Sequence, residues 1–493
     1  MTLTDEQVEI ISAGKHDEAS LLINALAGSG KTSTLVLLAQ RLPVLPTLSL
    51  GFNKRTADEM AKRLPSHIES KTLNAVGHRV WAAKTSRRLV VETDKMYSIL
   101  SEMMERASGE DKKAFGEAFA SILRACRLAK SSGYVPAEFS TLGRTLVTPA
   151  QYQETIAPQI DCEPDDYFQH KVDQALEISI SQAFLGKIDF DDQIYMSTLF
   201  GGVYPKYPIV MVDEAQDLSP LNHESLSQMF GGRIIAVGDP YQSIYGFRGA
   251  HTSSMGLIGE RFNCRELSLT CSFRCPQNVV RAAWFRVPQM TWAPDAPEGV
   301  VETLESWSTD SIPEGATVIC RNNAPLFKLA LRMIKKGRNV KMAKGDIGVS
   351  LIKLLKKIGA PKLLQEDLLS KITAWEESEI SKSRESRHAQ IHDRAACLRV
   401  FADAGPDFES AVAFAEVIFA GTGSVLFTTG HGAKGGEWDE VFFLESQLIP
   451  SKWAKESAEA GDNSQMEQEL NLKYVITTRA KRRLVYIFFG DMQ

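Results

Sequence analysis

The run Leu21-Leu22-Ile23-Asn24-Ala25-Leu26-Ala27-Gly28-Ser29-Gly30-Lys31-Thr32 constrains this chain more than any other stretch. An apolar segment enters a turn of small residues ending in Gly30-Lys31-Thr32, and residues 33–42 then place Leu35, Leu38, Ala39 and Leu42 at helical spacing. The pattern predicts strand, loop, helix. Gly28 and Gly30 let the backbone turn tightly enough for consecutive N–H groups to face one anion, and the new helix adds the positive end of its dipole. Ala27, Gly28, Ser29 and Gly30 are therefore expected to line the phosphates of ATP. Lys31 would reach the β- and γ-phosphates and Thr32 would give its hydroxyl to Mg2+. Ala25 stands where this eight-residue pattern usually begins with glycine, and the competing reading is a small-residue turn with no ligand.

At 493 residues the chain exceeds what one hydrophobic core usually serves, so roughly two to four domains are expected. An apolar fraction of 44% and a charged fraction of 24% are those of an ordinary globular protein. No apolar run of about 18 residues occurs, and residues 1–7 are polar without a basic-then-apolar signal pattern. The expectation is a soluble, cytoplasmic protein with no membrane partner. Seven cysteines, an odd number, suit reduced thiols in such a compartment. Cys264, Cys271 and Cys275 come nearest to a cluster but lack an evident fourth metal ligand. The net charge of −5 offers no global attraction to nucleic acid. A basic channel can still sit within an acidic surface, because the local field governs binding.

Gln7 precedes a short amphipathic segment about one strand before the phosphate loop, and its amide offers a donor and an acceptor to an adenine edge. The plainer reading is an exposed glutamine. Residues 47–52 read as a second strand, after which Asn53-Lys54 opens a helix with Ala57, Met60, Ala61 and Leu64 on one face. Ser70-Lys71-Thr72-Leu73-Asn74 is a further strand end. Polar and basic groups at such ends, here Asn53, Lys54 and Thr72, lie where open α/β sheets bind ligands. Residues 81–186 turn helical and irregular. Lys187-Ile188-Asp189-Phe190-Asp191-Asp192 is expected to lead back into the sheet, its aspartates capping the next helix or, less simply, holding a metal.

Pro208-Ile209-Val210-Met211-Val212 reads as a buried strand that ends in Asp213-Glu214-Ala215-Gln216-Asp217. An aspartate at a strand tip beside a phosphate loop holds Mg2+, and the following glutamate polarises the attacking water. The pair Asp213 and Glu214 thus moves the expectation from nucleotide binding to nucleotide hydrolysis. Residues 233–239 form another apolar strand with a polar tip, continuing into Pro240-Tyr241-Gln242-Ser243-Ile244-Tyr245-Gly246-Phe247-Arg248. Gln242 is placed to sense the γ-phosphate. Tyr245, Phe247 and Arg248 suit stacking on unpaired bases, although aromatic residues at such spacing are more often core.

With these motifs in hand, the chain resembles the superfamily 1 DNA helicases of the UvrD/Rep/PcrA type, in their order and at both ends and the middle of the sequence. Leu269-Thr270-Cys271-Ser272-Phe273-Arg274 is similar to the family's motif opening a second motor domain, which implies Arg274 on the γ-phosphate and Phe273 on the adenine face. Thr428-Thr429-Gly430-His431-Gly432-Ala433-Lys434-Gly435-Gly436-Glu437-Trp438 resembles the segment that contacts both nucleic acid and nucleotide. It implies DNA contacts for Thr429, His431 and Lys434 and a nucleotide contact for Glu437. Tyr474-Val475-Ile476-Thr477-Thr478-Arg479-Ala480 is similar to the arginine-finger motif and gives that role to Arg479. Ala25 for glycine, Asn74 for the family's histidine and the shifted Phe52 are departures. Residues 81–186 and about 345–415 are poorly matched.

The resemblance implies an α/β fold of two RecA-like P-loop domains with parallel sheets and mostly helical insertions. The first motor domain would comprise 1–80 and 187–268, with a helical insertion at 81–186. The second would comprise 269–345 and 416–493, with a reduced helical accessory insertion at 346–415. Apolar runs at 425–427, 441–444 and 484–489 agree with a second parallel sheet. The implied activity is ATP- and Mg2+-dependent translocation on single-stranded DNA, 3′→5′, with unwinding at single/double-strand junctions in replication, repair or recombination. Three alternatives stand beside it: a translocase that strips proteins with little unwinding, a non-catalytic nucleic-acid-binding scaffold, and a P-loop nucleotide kinase, which would lack the second half.

Overall fold

A computed structural model describes residues 3–16, 18–156, 160, 164–244, 254–343, 347–383 and 385–493, with the backbone alone at 385–387. The chain divides into two compact units, Met1–Leu26 with Gly30–Leu269, and Ala27–Ser29 with Thr270–Gln493.

The first unit is built on a six-stranded sheet in the order Ile68–Lys71, Thr47–Leu50, Tyr207–Val212, Phe230–Gly238, Leu21–Ala25, Arg265–Leu269. Every pairing is parallel. A parallel sheet has helices on both faces, which is why its strands read as unbroken apolar runs rather than alternating ones. The period of two survives in the packing. Leu21 and Ile23 join Ile10, Leu35, Leu38, Met211 and Ile235 in one core, whereas Leu22 joins Leu48, Val210, Val212, Ile234 and Val76 in another. Each such buried side chain contributes about 2 kcal/mol from the apolar area it removes from water. Because all six strands run the same way, their C-terminal ends share one edge, which carries the phosphate loop, Asp213 and Asp239.

Some sequence expectations shift here. Ala61 is exposed while Ala57, Met60 and Leu64 of the same helix are buried, so the apolar face is narrower than read. Helix Leu73–Thr85 runs through the 80/81 boundary because Val80 and Trp81 are both buried along it. Lys187–Ile188 does not enter the six-stranded sheet but pairs with Val90–Val91 in a two-stranded ribbon. The strand stops there because Asp189 and Asp192 bond each other's main-chain N–H groups and close a turn. Between the ribbon's strands, helices Lys95–Arg106, Gly109–Ser132, Pro149–Ile156 and Asp166–Phe184 surround a core of their own containing Phe115, Ile122, Tyr152, Phe168 and Leu176.

The second unit holds another six-stranded, wholly parallel sheet, ordered Val300–Thr303, Ala480–Ile487, Trp438–Leu444, Thr317–Cys320, Val425–Thr429, Val340–Met342. Helices Ile347–Ile358, Gln365–Ser381, Glu385–Ala402 and Phe408–Ala420 follow its last edge strand in sequence. Their Leu351, Leu368, Ile372, Leu398, Phe401 and Phe414 share one core with Val318, Phe327, Phe427 and Phe442. These helices therefore extend the second unit's core, and Phe408–Ala420 runs through the 415/416 boundary without a break. The fold is thus α/β, with two RecA-like domains and helical inserts. Among the described residues, no helix is long and apolar enough to cross a membrane.

Candidate active site

Strand Leu21–Ala25 feeds a loop in which Gly28 has φ +73° and Gly30 φ +78°. Backbone in this region costs a residue with a Cβ roughly 1 kcal/mol, so glycine is the economical choice at both positions. Gly30 caps helix Lys31–Ala39 without a side-chain hydrogen bond to the first turn. Lys31 then donates from Nζ to Glu214 Oε1 at 3.1 Å. Burial pulls the ammonium's pKa down, but Glu214, Asp239 and Asp213 together outweigh it and hold it above its ordinary value. Lys31 is a fixed cation in this site.

Strand Tyr207–Val212 delivers Asp213, whose N–H donates to the Leu50 carbonyl at 3.0 Å. Glu214 follows with φ 54°, a left-handed conformation that costs a non-glycine residue of order 1 kcal/mol. That bend turns the Glu214 carboxylate toward Lys31. Burial, then the Glu214 charge, pushes the Asp213 carboxyl up to about 6 against the pull of Lys31. Two neighbouring carboxylates, one of them buried, form a setting that a divalent cation would relieve. Among the described residues no group of three or more His, Cys, Asp or Glu side chains could hold a metal alone. Thr32 and Asp213 fit Mg2+ of the kind that takes one or two protein oxygens and completes its shell with phosphate and water.

The sequence reading missed the residue that joins these parts. Gln216 donates from Nε2 to Glu214 Oε2 at 2.5 Å, and its Oε1 accepts the Asp239 N–H at 3.1 Å. Asp239 Oδ2 in turn accepts from Gln242 Nε2 at 2.7 Å. Lys31, Glu214, Gln216, Asp239 and Gln242 thus form one bonded chain across three strand tips. The available signal was a polar side chain two residues after the acidic pair, which by itself reads as a solvated loop.

Gln7 is buried, and its amide accepts from the Thr4 N–H at 3.1 Å and donates to Thr34 Oγ1 at 3.0 Å. It ties helix Asp5–His16 to helix Lys31–Ala39. Asn53 caps helix Lys54–Arg63 by accepting the Thr56 N–H at 2.9 Å, and Lys54 is exposed in its first turn. Thr72 likewise caps Leu73–Thr85 through the Ala75 N–H at 3.1 Å. Two steps on, Asn74 Nδ2 donates to the Phe190 carbonyl at 2.7 Å. Phe190 is 56% exposed and Phe52 49%, both well outside the apolar cores. Sequence reasoning passed over Phe190, whose signal was a lone ring set among three aspartates. Tyr245, Phe247 and Arg248 lie outside the described residues.

In the second unit Arg274 donates from Nε to Glu437 Oε2 at 2.6 Å, which brings two expected nucleotide contacts together. Arg479 is only 1% exposed, donating from Nε to the Val475 carbonyl at 2.8 Å and from Nη1 to the Gly436 carbonyl at 3.1 Å. Its guanidinium therefore sits on the loop that carries Glu437. Thr429 ends strand Val425–Thr429 and accepts the Gly432 N–H at 3.2 Å, starting the turn that bears half-buried His431 and Lys434. Grouped with this unit, Ala27 accepts from Ser272 Oγ at 2.9 Å and Gly28 accepts the Phe273 N–H at 2.8 Å. The Ala27 N–H, expected to face a phosphate, instead donates to the hydroxyl of buried Tyr474 at 2.9 Å, which satisfies the buried main-chain donor. Ser29 is buried beside it.

The chain is similar in sequence to known DNA helicases. Across 98% of its length the chain is 23% identical to F-box DNA helicase protein 1 of Schizosaccharomyces pombe, covering 57% of that protein. It is 26% identical, again over 98%, to F-box DNA helicase 1 of Gallus gallus, covering 49%. Over 54% of its length it is 24% identical to the ATP-dependent DNA helicase UvrD1 of Mycobacterium tuberculosis, covering 37%. The chain spans about half the length, or less, of these curated relatives. Residues 3–263 match the UvrD/REP helicase N-terminal domain and residues 415–490 the UvrD-like helicase C-terminal domain. With the phosphate loop and the acidic strand tip inside the first match and Arg479 inside the second, the chain belongs to the UvrD/REP helicase family.

Proposed function

We propose that this protein is an ATP-dependent DNA helicase that moves 3′→5′ along single-stranded DNA and opens duplex at single/double-strand junctions. The observation that carries the proposal is the bonded chain from Lys31 through Glu214, Gln216 and Asp239 to Gln242. Lys31 and Mg2+, held by Thr32 and Asp213, would neutralise the phosphates of ATP. Glu214 would orient the attacking water and take its proton, and Gln242 would read whether a γ-phosphate is present. Arg274 and Arg479 would add positive charge as the γ-phosphoryl group departs, where preorganised cations act most strongly. Gln7 and Phe273 would flank the adenine, with the loop residues 27–30 and Glu437 completing the nucleotide site.

DNA would be gripped by its phosphates through Lys54, Arg248 and Lys434, with Asn53, Thr72, Thr429 and His431 as polar contacts. The exposed rings of Phe190 and Phe52 would stack on bases, a role the sequence also gives to Tyr245 and Phe247. Backbone charge and base stacking carry little sequence information, so sequence preference should be weak. The testing experiment compares ATP-driven unwinding of partial duplexes bearing a 3′ or a 5′ single-stranded tail. Unwinding of the 3′-tailed substrate supports the proposal, and unwinding of the 5′-tailed one alone reverses the direction.

A second reading, an ATP-driven translocase that strips bound proteins, draws support from the accessory helices at 347–420, which extend the second unit's core instead of forming a domain with a core of its own. Single-strand-stimulated ATP turnover with streptavidin displacement but no unwinding would favour it.

A further inference from the structure

Lys95 and Lys130 come from two helices of the first unit's insertion and are almost wholly buried, at 1% and 0% exposure. The Lys95 ammonium donates to Asp192 Oδ2 at 2.6 Å and to the Ser179 carbonyl at 2.7 Å. Lys130 donates to Asp189 Oδ2 at 2.6 Å and Ser179 Oγ at 3.1 Å, and pairs with Asp192 Oδ1 at 2.7 Å. The same two carboxylates close a turn on themselves. Asp189 Oδ1 accepts the Asp192 N–H at 2.7 Å and Asp192 Oδ2 accepts the Asp189 N–H at 3.0 Å. All four carboxylate oxygens are thereby engaged.

Between the two buried aspartates stands Phe190, more than half exposed, with its carbonyl held by Asn74. The helix that follows the turn, Asp192–Leu199, lies tightly on Leu73–Thr85: a Cβ on Gly77 would fall 2.3 Å from the Gln193 carbonyl. The turn, through the Phe190 main chain, and the Thr72-capped helix are thus joined, and two lysines hold the turn's carboxylates.

A buried set of paired charges is a poor way to gain stability, since apolar residues of similar volume do as well or better; its best-attested use is to specify one arrangement. Two ammonium groups on one turn define its orientation more tightly than a greasy contact that tolerates sliding. We propose that Lys95 and Lys130 are positioning residues for DNA binding: from the helical insertion they lock the turn formed by Asp189, Phe190, Asp191 and Asp192 so that the Phe190 ring is presented to a base. This rests on the reading of Phe190 as a base contact.

Two charge-balanced variants test it, Lys95→Met/Asp192→Asn and Lys130→Met/Asp189→Asn, each leaving the other ion pair and an amide oxygen for the turn. A single lysine substitution would leave one buried carboxylate charge in excess and endanger folding, so thermal melting first establishes that at least one balanced pair is folded. Affinity for fluorescein-labelled oligo-dT and ATP turnover without DNA are then measured in the parent, in Phe190→Ala, in the balanced pair and in their combination. Phe190→Ala is expected to weaken binding roughly 5- to 150-fold, the range of one stacked base. The balanced pair should weaken it several-fold, leave DNA-independent turnover intact and add nothing to Phe190→Ala. Unchanged affinity in the pair, or a full further loss on top of Phe190→Ala, overturns the positioning role. Unchanged affinity in Phe190→Ala removes the base contact itself, and oligo-dT binding absent from the parent removes the proposed function.

Discussion

Glu214 and Lys31 meet at 3.1 Å although their strands, Tyr207–Val212 and Leu21–Ala25, are separated in the sheet by Phe230–Gly238. Strands two places apart lie roughly 10 Å from each other, so the pair spans the tip of the intervening strand, from which Asp239 and Gln242 rise. A lysine and a glutamate long enough to bridge that gap hold opposite charges over the tip of the intervening strand.

Lys31→Ala should reduce DNA-stimulated ATP hydrolysis to background, since the phosphate charge loses its fixed cation in the loop. The check is steady-state phosphate release with saturating oligo-dT. Turnover at parent level would displace the nucleotide site from this loop.

Glu214→Gln keeps the side-chain shape and removes the base. Turnover should fall roughly 10²- to 10⁴-fold while ATP and single-strand binding persist. Single-turnover kinetics alongside equilibrium nucleotide binding separates the two effects.

Gln216→Ala should act on both chemistry and stability. It takes the acceptor from the Asp239 N–H and the donor from Glu214, at about 1–3 kcal/mol for a buried group left short of a partner. The expected result is a lower melting temperature and a kcat reduced more than ATP affinity. A variant that melts normally and turns over normally would reduce Gln216 to a bystander.

Arg479→Ala should lower kcat by roughly 10³-fold, judged by arginine fingers in general, with nucleotide affinity changed much less. Because the guanidinium also bonds the Val475 and Gly436 carbonyls, thermal melting must accompany the kinetics. Intact kcat in a folded variant would leave Arg479 a purely structural cation.

Single-strand affinity should fall steeply with salt. Three phosphates neutralised by Lys54, Arg248 and Lys434 predict roughly a 15- to 20-fold loss between 50 and 200 mM, from the counterion release of a single strand. Lys434→Ala should make the slope shallower by about 0.7, and an unchanged slope would remove Lys434 from the strand.

By itself the sequence determined the local events. Apolar runs longer than an alternating strand required a sheet covered on both faces, glycines at the loop allowed positive φ, and Asp213-Glu214 at the end of such a run announced an acidic strand tip. These properties depend on neighbours within a few residues, so they are written in the chain. Tertiary structure alone decided which distant groups meet. Gln216 is an ordinary polar residue until Phe230–Gly238 sets Asp239 beside it, and the Ala27 N–H finds its acceptor in Tyr474, 447 positions away in the chain. Nothing in the sequence around Lys95 and Lys130 sets them apart from surface lysines, the common fate of that residue. They are buried because helix packing brought two aspartates within 2.7 Å of their ammonium groups, and Coulomb attraction between charges far apart in sequence leaves no periodic trace along the chain.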